Sequence, residues 1–348
     1  MTNNTPQRSP RLPAEWESDG AVLMAWPHAG TDWNYMLPQA QACFIEIIEA
    51  ITAYQPVVLV APETTEPKAA LKHIPADRLF LVQSDTNDTW ARDFGPITIE
   101  LSDGHHSVAD FCFNGWGLKF PSCHDNLVTE VLCRKKLITA PRINCRDFVL
   151  EGGGIESDGQ GTIMTTALCQ MSPNRNATLS VAEVKQALAS YFGAKHIIWL
   201  EHGYLAGDDT DSHIDTLARF APGNTIVYVG CDDPADEHYT ELQAMKHELM
   251  SARTPDGLPY NLLELPLPDP IFDENGQRLP ATYANFLITP HAVIMPVYGQ
   301  PKKDLLARQI IQIAFDVPVV TVDCNALIRQ HGSLHCVTMQ MPSQILSI

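Results

Sequence analysis

The sequence has few positive charges, no long apolar run and no paired cysteine motif. Its 348 residues include 23 Lys and Arg against 41 Asp and Glu, which gives a formal net charge of −18. Nucleic acid and anionic membranes repel a surface of this charge, so neither is expected as a partner. No segment approaches the roughly twenty consecutive apolar residues that span a bilayer, so no membrane span is predicted.

The start of the chain has no apolar core of the kind found in a signal peptide. We therefore predict a flexible tail over residues 1–11 and a single catalytic domain over residues 12–348, because no low-complexity linker divides the remainder. Nine cysteines without a C-x-x-C pair favour free thiols in a reducing cytoplasm over a disulfide framework. A homodimer is expected only from the general frequency of symmetric oligomers.

A loose internal repeat runs along the chain. Five stretches with helical spacing of apolar residues are each followed by an apolar run suited to a buried strand. The predicted helices are 38–54, 126–135, 181–192, 239–252 and 302–315. The strands after them are 56–60, 147–151, 196–200, 261–265 and 318–322, with further strands at 96–100, 225–229 and 292–296. Such a repeat predicts α/β modules around a shared centre, and a doubly wound sheet with added strands is the alternative.

The most informative segment is 207–215, which holds four aspartates and one histidine in nine residues. In an extended segment, His213 and Asp215 would point to the same side. An imidazole beside a carboxylate is suited to proton transfer at neutral pH. A solvated acidic loop and a calcium-like oxygen site are the alternatives. For Asp208, Asp209 and Asp211 we expect at least two to shape the loop rather than to touch a ligand.

Three other segments carry candidate binding or catalytic residues. Trp90 and Asp93 together can hold a planar cation by stacking and paired hydrogen bonds, although a structural ion pair of Arg92 would also explain the charges there. Glu151 precedes three glycines, which would let backbone and substrate approach closely or would only form a tight turn. Cys336 follows a glycine-containing turn, and it is either an activated nucleophile or a buried structural thiol.

These motifs occur in the order W-x-x-D, E-G-G-G, H-x-D and G-x-x-H-C. The combination resembles the agmatine deiminase and bacterial peptidylarginine deiminase-like family within the guanidine-modifying (pentein) superfamily. Residues 113–117, F-N-G-W-G, are also similar to that family, and the resemblance covers about residues 12–342. It implies a five-bladed pseudosymmetric α/β propeller and a cofactor-free hydrolysis of a guanidinium to a ureido group. No metal is expected, because His213 and Cys336 lack the spaced partners of a typical zinc site.

The resemblance also implies roles for individual residues. Cys336 would attack the guanidinium carbon, and His213 would protonate the departing ammonia and then activate water, with Glu151 supporting His213. The remaining candidates would bind the substrate: Asp93, Asp215, Trp90 and Trp116. The two aspartates should raise the pKa of the Cys336 thiol, so we expect thiolate formation to be partly assisted by the bound cation.

The substrate is a separate question. Agmatine has no carboxylate, so its pocket should lack an arginine clamp, and the acidity of the chain favours a dicationic substrate. The predicted activity is conversion of agmatine to N-carbamoylputrescine and ammonia. A peptidylarginine deiminase-like enzyme is the nearest alternative, an amidinotransferase would need a second acceptor site, and a non-catalytic polyamine-binding protein is the alternative of another class.

Overall fold

The structure is a computed structural model that describes residues 10–348. Most of the predicted tail, residues 1–9, lies outside the described residues. Its last two residues, Pro10–Arg11, form a short antiparallel strand opposite Glu100 and Leu101, so they belong to the fold and the predicted tail boundary is two residues too late. The prediction of a single domain stays a prediction. In the described part of the chain, no helix has both the length and the apolar character needed to cross a membrane.

Short strands and helices are interspersed along the described chain. The strands are β1 Pro10–Arg11, β2 Gly20–Ala25, β3 Val57–Ala61, β4 Leu79–Gln83, β5 Ile97–Leu101, β6 His106–Cys112, β7 Arg142–Val149, β8 Glu156–Ser157, β9 Thr162–Thr166, β10 His196–Leu200, β11 Ala218–Ala221, β12 Thr225–Val229, β13 Asn261–Leu265, β14 Leu287–Ile288, β15 Val293–Val297, β16 Val319–Asp323 and β17 Met339–Pro342. The helices are α1 Leu37–Thr52, α2 Thr65–Ala70, α3 Ala91–Phe94, α4 Gly115–Leu118, α5 Val128–Arg134, α6 Ala167–Gln170, α7 Val181–Phe192, α8 Tyr239–Ser251 and α9 Pro301–Ala314.

Over residues 10–348 the strands form five separate sheets with one plan. The sheet orders are β17-β2-β3-β4, β1-β5-β6-β7, β8-β9-β10, β11-β12-β13 and β14-β15-β16. In each unit an antiparallel pair is followed by a parallel pair, as in β11-β12 and β12-β13. Parallel neighbours need a crossover connection, and a helix supplies it in each unit: α1, α5, α7, α8 and α9. The five predicted α/β modules are thus confirmed, and a single doubly wound sheet is wrong.

The predicted elements agree with the structure to within a few residues, with one exception. The run 147–151 was predicted as a strand, but β7 occupies Arg142–Val149. Glu151 therefore lies beyond the strand, in the loop that leads to β8. Pairing of β7 with β6 begins at Val108 opposite Arg142, before the apolar part of the run.

The first and last units are joined because β17 completes the sheet that β2 begins. Met339 of β17 lies opposite Leu23 of β2 in an antiparallel pair. One large buried hydrophobic cluster includes residues of β2, β3, β15 and α1, and a second is centred on β11, β12 and α8. The five units therefore surround a common centre, as the predicted pseudosymmetric architecture requires.

The same position in every unit points a polar residue at this centre. The position is in the segment directly before the first strand of the antiparallel pair. Its occupants are Asp93 before β5, Glu151 before β8, Asp215 before β11, Asn285 before β14 and Cys336 before β17. One site is thus assembled from five connecting segments, one from each unit.

Candidate active site

Cys336 lines a cavity and is almost completely buried. Its Sγ is 3.3 Å from Nδ2 of Asn285 and 3.8 Å from Oδ2 of Asp215. Burial raises the pKa of the Cys336 thiol well above its usual value, and the carboxylates of Asp215 and Asp93 raise it further. This is the direction expected from the sequence. The free protein therefore holds a thiol here rather than a thiolate.

His213 lies beside the thiol loop with both ring nitrogens facing carboxylates. Its Nε2 is 3.1 Å from Oε2 of Glu151, and its Nδ1 is 3.6 Å from Oδ1 of Asp93. Burial lowers the pKa of His213, but the charge of Asp93, the contact with Cys169 and the hydrogen bond to Glu151 outweigh that effect and raise it well above its usual value. His213 is therefore an imidazolium at neutral pH, and its Nδ1–H has no hydrogen-bond partner among the described residues.

Asp93 is fixed by two hydrogen bonds in the centre of the site. Its Oδ2 accepts from Nε1 of Trp116 at 2.9 Å, and its Oδ1 accepts from the backbone N–H of Gly153 at 2.9 Å. Burial raises the pKa of Asp93 to about 6, although His213 opposes the shift. The carboxylate is charged at neutral pH and close to its titration range.

Only one of the two carboxylate oxygens of Asp215 has a hydrogen-bond partner among the described residues. Its Oδ2 accepts a hydrogen bond from Nδ1 of His335 at 2.7 Å, whereas its Oδ1 is buried and lacks a partner among residues 10–348. Burial raises the pKa of Asp215, but the hydrogen bond and charge of His335 outweigh it, so the pKa is lowered overall. An unpaired buried anion is costly, and such an atom is suited to bind a cationic ligand.

The central glycine of the E-G-G-G motif lies where these groups converge. A Cβ on Gly153 would be 2.6 Å from Nδ1 of His213, 2.9 Å from Oδ1 of Asp93 and 3.1 Å from Oδ2 of Asp215. A Cβ on Gly152 would be 2.2 Å from the carbonyl oxygen of Arg92. The backbone of this motif is packed closely against the polar groups, and a side chain here would displace them. The close approach of a substrate to this backbone stays a prediction.

The segment before His213 differs from its predicted conformation. His213 and Asp215 are not in an extended strand, because Ile214–Thr216 forms a 3-10 turn. The preceding residues Asp211 and Ser212 have φ values of 65° and 62°, in the left-handed region. This reversal still directs both predicted side chains to the centre, but the alternation argument for them was wrong.

The three other aspartates of the segment have different roles. Asp208 accepts hydrogen bonds from the backbone N–H groups of Thr210 and Ser212, which holds the turn. Asp211 forms ion pairs with Lys119 and Arg175. Asp209 lines the cavity. Two of the three therefore shape the loop, in agreement with the prediction.

Trp90 and Trp116 line the same cavity as Cys336, and their role in substrate binding stays a prediction. The acidic side chains in the lining are Asp32, Asp88, Asp93 and Asp209, and no Lys or Arg lines it within the described chain. Burial raises the pKa of Asp88 to about 7. A ligand with more than one positive charge fits this lining, whereas a ligand carboxylate would find four aspartates and no Lys or Arg among the described lining residues.

Sequence reasoning missed Asn285 and left His335 without a role. Oδ1 of Asn285 accepts from the backbone N–H of His335 at 2.9 Å, so the amide holds the nucleophile loop as well as contacting the thiol. Nε2 of His335 is 2.7 Å from Oε1 of Glu15, and Nδ1 contacts Asp215. No local motif marks Asn285, but its position before β14 repeats that of the other site residues.

Metal-ligating residue types also occur together in the site. Ligand atoms of Glu151, Cys169 and His213 all lie within 4.8 Å of one another. Nε of Arg175 is 2.7 Å from Oε2 of Glu151, so the charge of this carboxylate is already paired. The expectation of neither metal nor cofactor stays a prediction.

Comparison with known proteins agrees with this geometry. The family model for Porphyromonas-type peptidyl-arginine deiminase matches residues 11–342. A proposed agmatine deiminase of Shewanella baltica is 31% identical over 99% of this chain and 97% of its own length. Because the match extends over nearly the whole chain, the protein belongs to the Porphyromonas-type peptidyl-arginine deiminase family, which confirms the relationship inferred from the motifs.

Two solved structures place the fold in the same group. A proposed arginine deiminase from Porphyromonas gingivalis has a TM-score of 0.91 at 45% identity, covering 97% of this chain and 100% of its own. A C. jejuni agmatine deiminase variant with substrate bound has a TM-score of 0.89 at 37% identity, covering 97% of this chain and 98% of its own. The α/β fold predicted from the repeat is therefore that of the deiminases.

Proposed function

We propose that the protein is an agmatine deiminase, which hydrolyses the guanidinium of agmatine to give N-carbamoylputrescine and ammonia. The observation that carries the proposal is the convergence of a thiol, an imidazolium and two carboxylates, of which Cys336 and Asp93 line a cavity with further acidic side chains. The relatives described as agmatine deiminases support the same substrate.

The substrate guanidinium binds between Asp93 and Asp215. Carboxylates on both sides fix its plane, so its carbon faces Sγ of Cys336. The free Oδ1 of Asp215 is available to a guanidinium N–H. The positive charge of the substrate offsets the two carboxylates, which lowers the pKa of the thiol and lets its proton leave to solvent.

In the first chemical step, the Cys336 thiolate forms a bond to the guanidinium carbon. The His213 imidazolium gives its proton to one amino nitrogen, the C–N bond breaks, and ammonia departs. The product of this step is a cationic amidino-thioether on Cys336, with neutral His213 beside it. Glu151 keeps His213 in place through the contact at Nε2.

In the second step, neutral His213 takes a proton from water, and the resulting hydroxide adds to the amidino carbon. The C–S bond then breaks, the Cys336 thiolate leaves, and a proton is lost to solvent as the ureido carbonyl forms. His213 returns to its charged state, ready for another turnover. These two steps consume one water molecule and need no other reagent.

A peptidyl-arginine substrate is the alternative, and one feature favours it. An open groove lies beside the cavity and shares His331 with it, and its lining includes the exposed aromatic side chains of Tyr35 and Phe272. A peptide chain could occupy such a groove while its arginine entered the cavity. Free arginine fits less well, because its carboxylate would face the acidic lining.

The test is to measure ammonia and ureido product with agmatine, free arginine and a blocked arginine peptide in parallel. Turnover of agmatine alone supports the proposal, whereas turnover of the peptide favours the alternative. A protein that only binds polyamines would give neither product, and it would not be alkylated at Cys336 by chloroacetamidine, which labels an activated thiol.

We also propose a cytoplasmic enzyme. All nine cysteines are free thiols in the structure, and Cys336 must stay reduced to act, which suits a reducing compartment. A homodimer is proposed only on the frequency of such assemblies. Gel filtration with light scattering would test it.

A further inference from the structure

Arg175 is a buried guanidinium that contacts two parts of the candidate site at once. Its Nε lies 2.7 Å and 3.0 Å from the two carboxylate oxygens of Glu151. Its Nη1 donates to Oδ2 of Asp211 at 2.6 Å, and its Nη2 donates to the carbonyl oxygen of Thr210 at 2.8 Å. The side chain is only 2% exposed, so these contacts form away from water.

Glu151 and the segment Thr210–Asp211, which Arg175 contacts, both act on His213. Glu151 contacts Nε2 of His213, and the segment Thr210–Asp211 leads directly into its backbone. The backbone N–H of His213 donates to Oγ1 of Thr210 at 3.1 Å, which ties the histidine to that segment. Arg175 therefore links the Glu151 carboxylate, which contacts the His213 ring, to the backbone segment that carries His213.

The segment that Arg175 holds is conformationally strained. Asp211 and Ser212 are consecutive non-glycine residues with left-handed backbone, a conformation that L-residues adopt at a cost. Such strain persists only where neighbouring contacts over-determine it. The planar fork of an arginine suits this task, because it donates to a carboxylate and to further acceptors in fixed directions.

We propose that Arg175 is a positioning residue for catalysis, which aligns His213 by linking the Glu151 carboxylate to the strained loop before the histidine. The inference rests on the proposed function, because it assumes that His213 protonates the leaving ammonia. Arg175 does not reach the substrate cavity, whose lining it does not join within the described chain. Its effect is therefore on the proton-transfer steps rather than on binding.

The test compares Arg175→Lys with the wild type and with Arg146→Lys. Lysine keeps the charge, but a single ammonium cannot span Glu151 and Asp211. Arg146 is the matched control, because it pairs with Asp110 on neighbouring strands outside the site. For Arg175→Lys we expect kcat for agmatine to fall about 10- to 100-fold, as for other residues that orient catalytic groups, with KM within about threefold and the control unchanged in both.

A second readout separates positioning from general damage to the site. Alkylation of Cys336 by chloroacetamidine forms the S–C bond and expels chloride, so it needs no protonation of the leaving group. We expect Arg175→Lys to keep the wild-type labelling rate within about threefold while kcat falls. A parallel loss of labelling and turnover would mean that the arginine only supports the structure, and this would overturn the inference.

Asp211→Asn provides a variant with a smaller perturbation. Asp211 is partly exposed, and its loss leaves the Arg175–Glu151 pair intact. We expect a smaller fall in kcat than with Arg175→Lys, again with KM retained, and this variant decides the matter if Arg175→Lys does not fold. Wild-type kcat in both variants would overturn the inference. If the wild type turned over none of the guanidine compounds, the proposed function would be overturned, and this inference with it.

Discussion

Replacing Asp93 with asparagine should weaken binding of agmatine and also change its pH dependence. Asp93 is one of two carboxylates placed for the guanidinium, and it is already fixed by Trp116 and Gly153. A hydrogen bond to a charged group contributes about 1.5–3 kcal/mol, which corresponds to roughly a 10- to 150-fold loss of affinity. Asparagine has only one acceptor oxygen, so one of the two donors that hold Asp93 also loses its partner.

The pH dependence follows from the raised pKa of Asp93, which is about 6. Only the ionised carboxylate attracts the cation, and agmatine itself stays charged over this range. Affinity should therefore fall as pH decreases through 6, by about tenfold per pH unit well below it. Asp88 and Asp209 also line the cavity, with pKa values raised to about 7 and about 6, so they add to the slope.

The decisive comparison is between the pH dependence of agmatine affinity in the protein with Asp93 and in the Asp93→Asn variant. Calorimetric titration of agmatine over pH 5 to 8, on a Cys336→Ser background that prevents turnover, should give a wild-type slope steeper than that of Asp93→Asn by one proton. Asp147→Asn is the control, because Asp147 is exposed on β7 and does not line the cavity. An affinity within threefold of the parent, or an unchanged slope, would refute the placement of Asp93 against the guanidinium.

Three other substitutions have defined outcomes. Cys336→Ser should bind agmatine but release no ammonia, and turnover like that of the wild type would exclude the thiol mechanism. Gly332→Ala should lower kcat/KM by about 100-fold, because its Cβ would lie 2.2 Å from a ring atom of Trp90 and would displace that ring; an unchanged kcat/KM would contradict this. Ser212→Gly should raise the free energy of unfolding in urea by roughly 0.5–1 kcal/mol, since it relieves a left-handed serine, and a lower value would contradict the strain.

The elements that sequence predicted well are those with local causes. Helix α7 and strands β10, β12 and β13 have the predicted bounds, because apolar periodicity and strand length determine them over a few residues. The chemical types at Cys336 and His213 were visible for a similar reason, since each lies in a short motif of unusual composition. That these residues lie close together in space could be seen only in the structure.

What the sequence did not predict depends on contacts between distant segments. Arg175 has no motif of its own, and its importance comes from partners 24 and 36 residues away. Asn285 contacts a thiol 51 residues later in the chain. The conformation before Asp215 was predicted wrongly. The alternation of side chains along a strand takes no account of the hydrogen bonds accepted by Asp208, which bend the segment out of a strand.

The order of the five site segments along the chain has a consequence for biosynthesis. Cys336 follows all the other site residues in the chain, and its loop leads into β17, which pairs with β2 across more than 300 residues. Pairing over such a separation is slow compared with local folding. A partly synthesised chain can therefore hold four of the five site segments and still have no nucleophile beside them. The site is complete only when β17 pairs with β2, so its assembly is one of the last steps of folding.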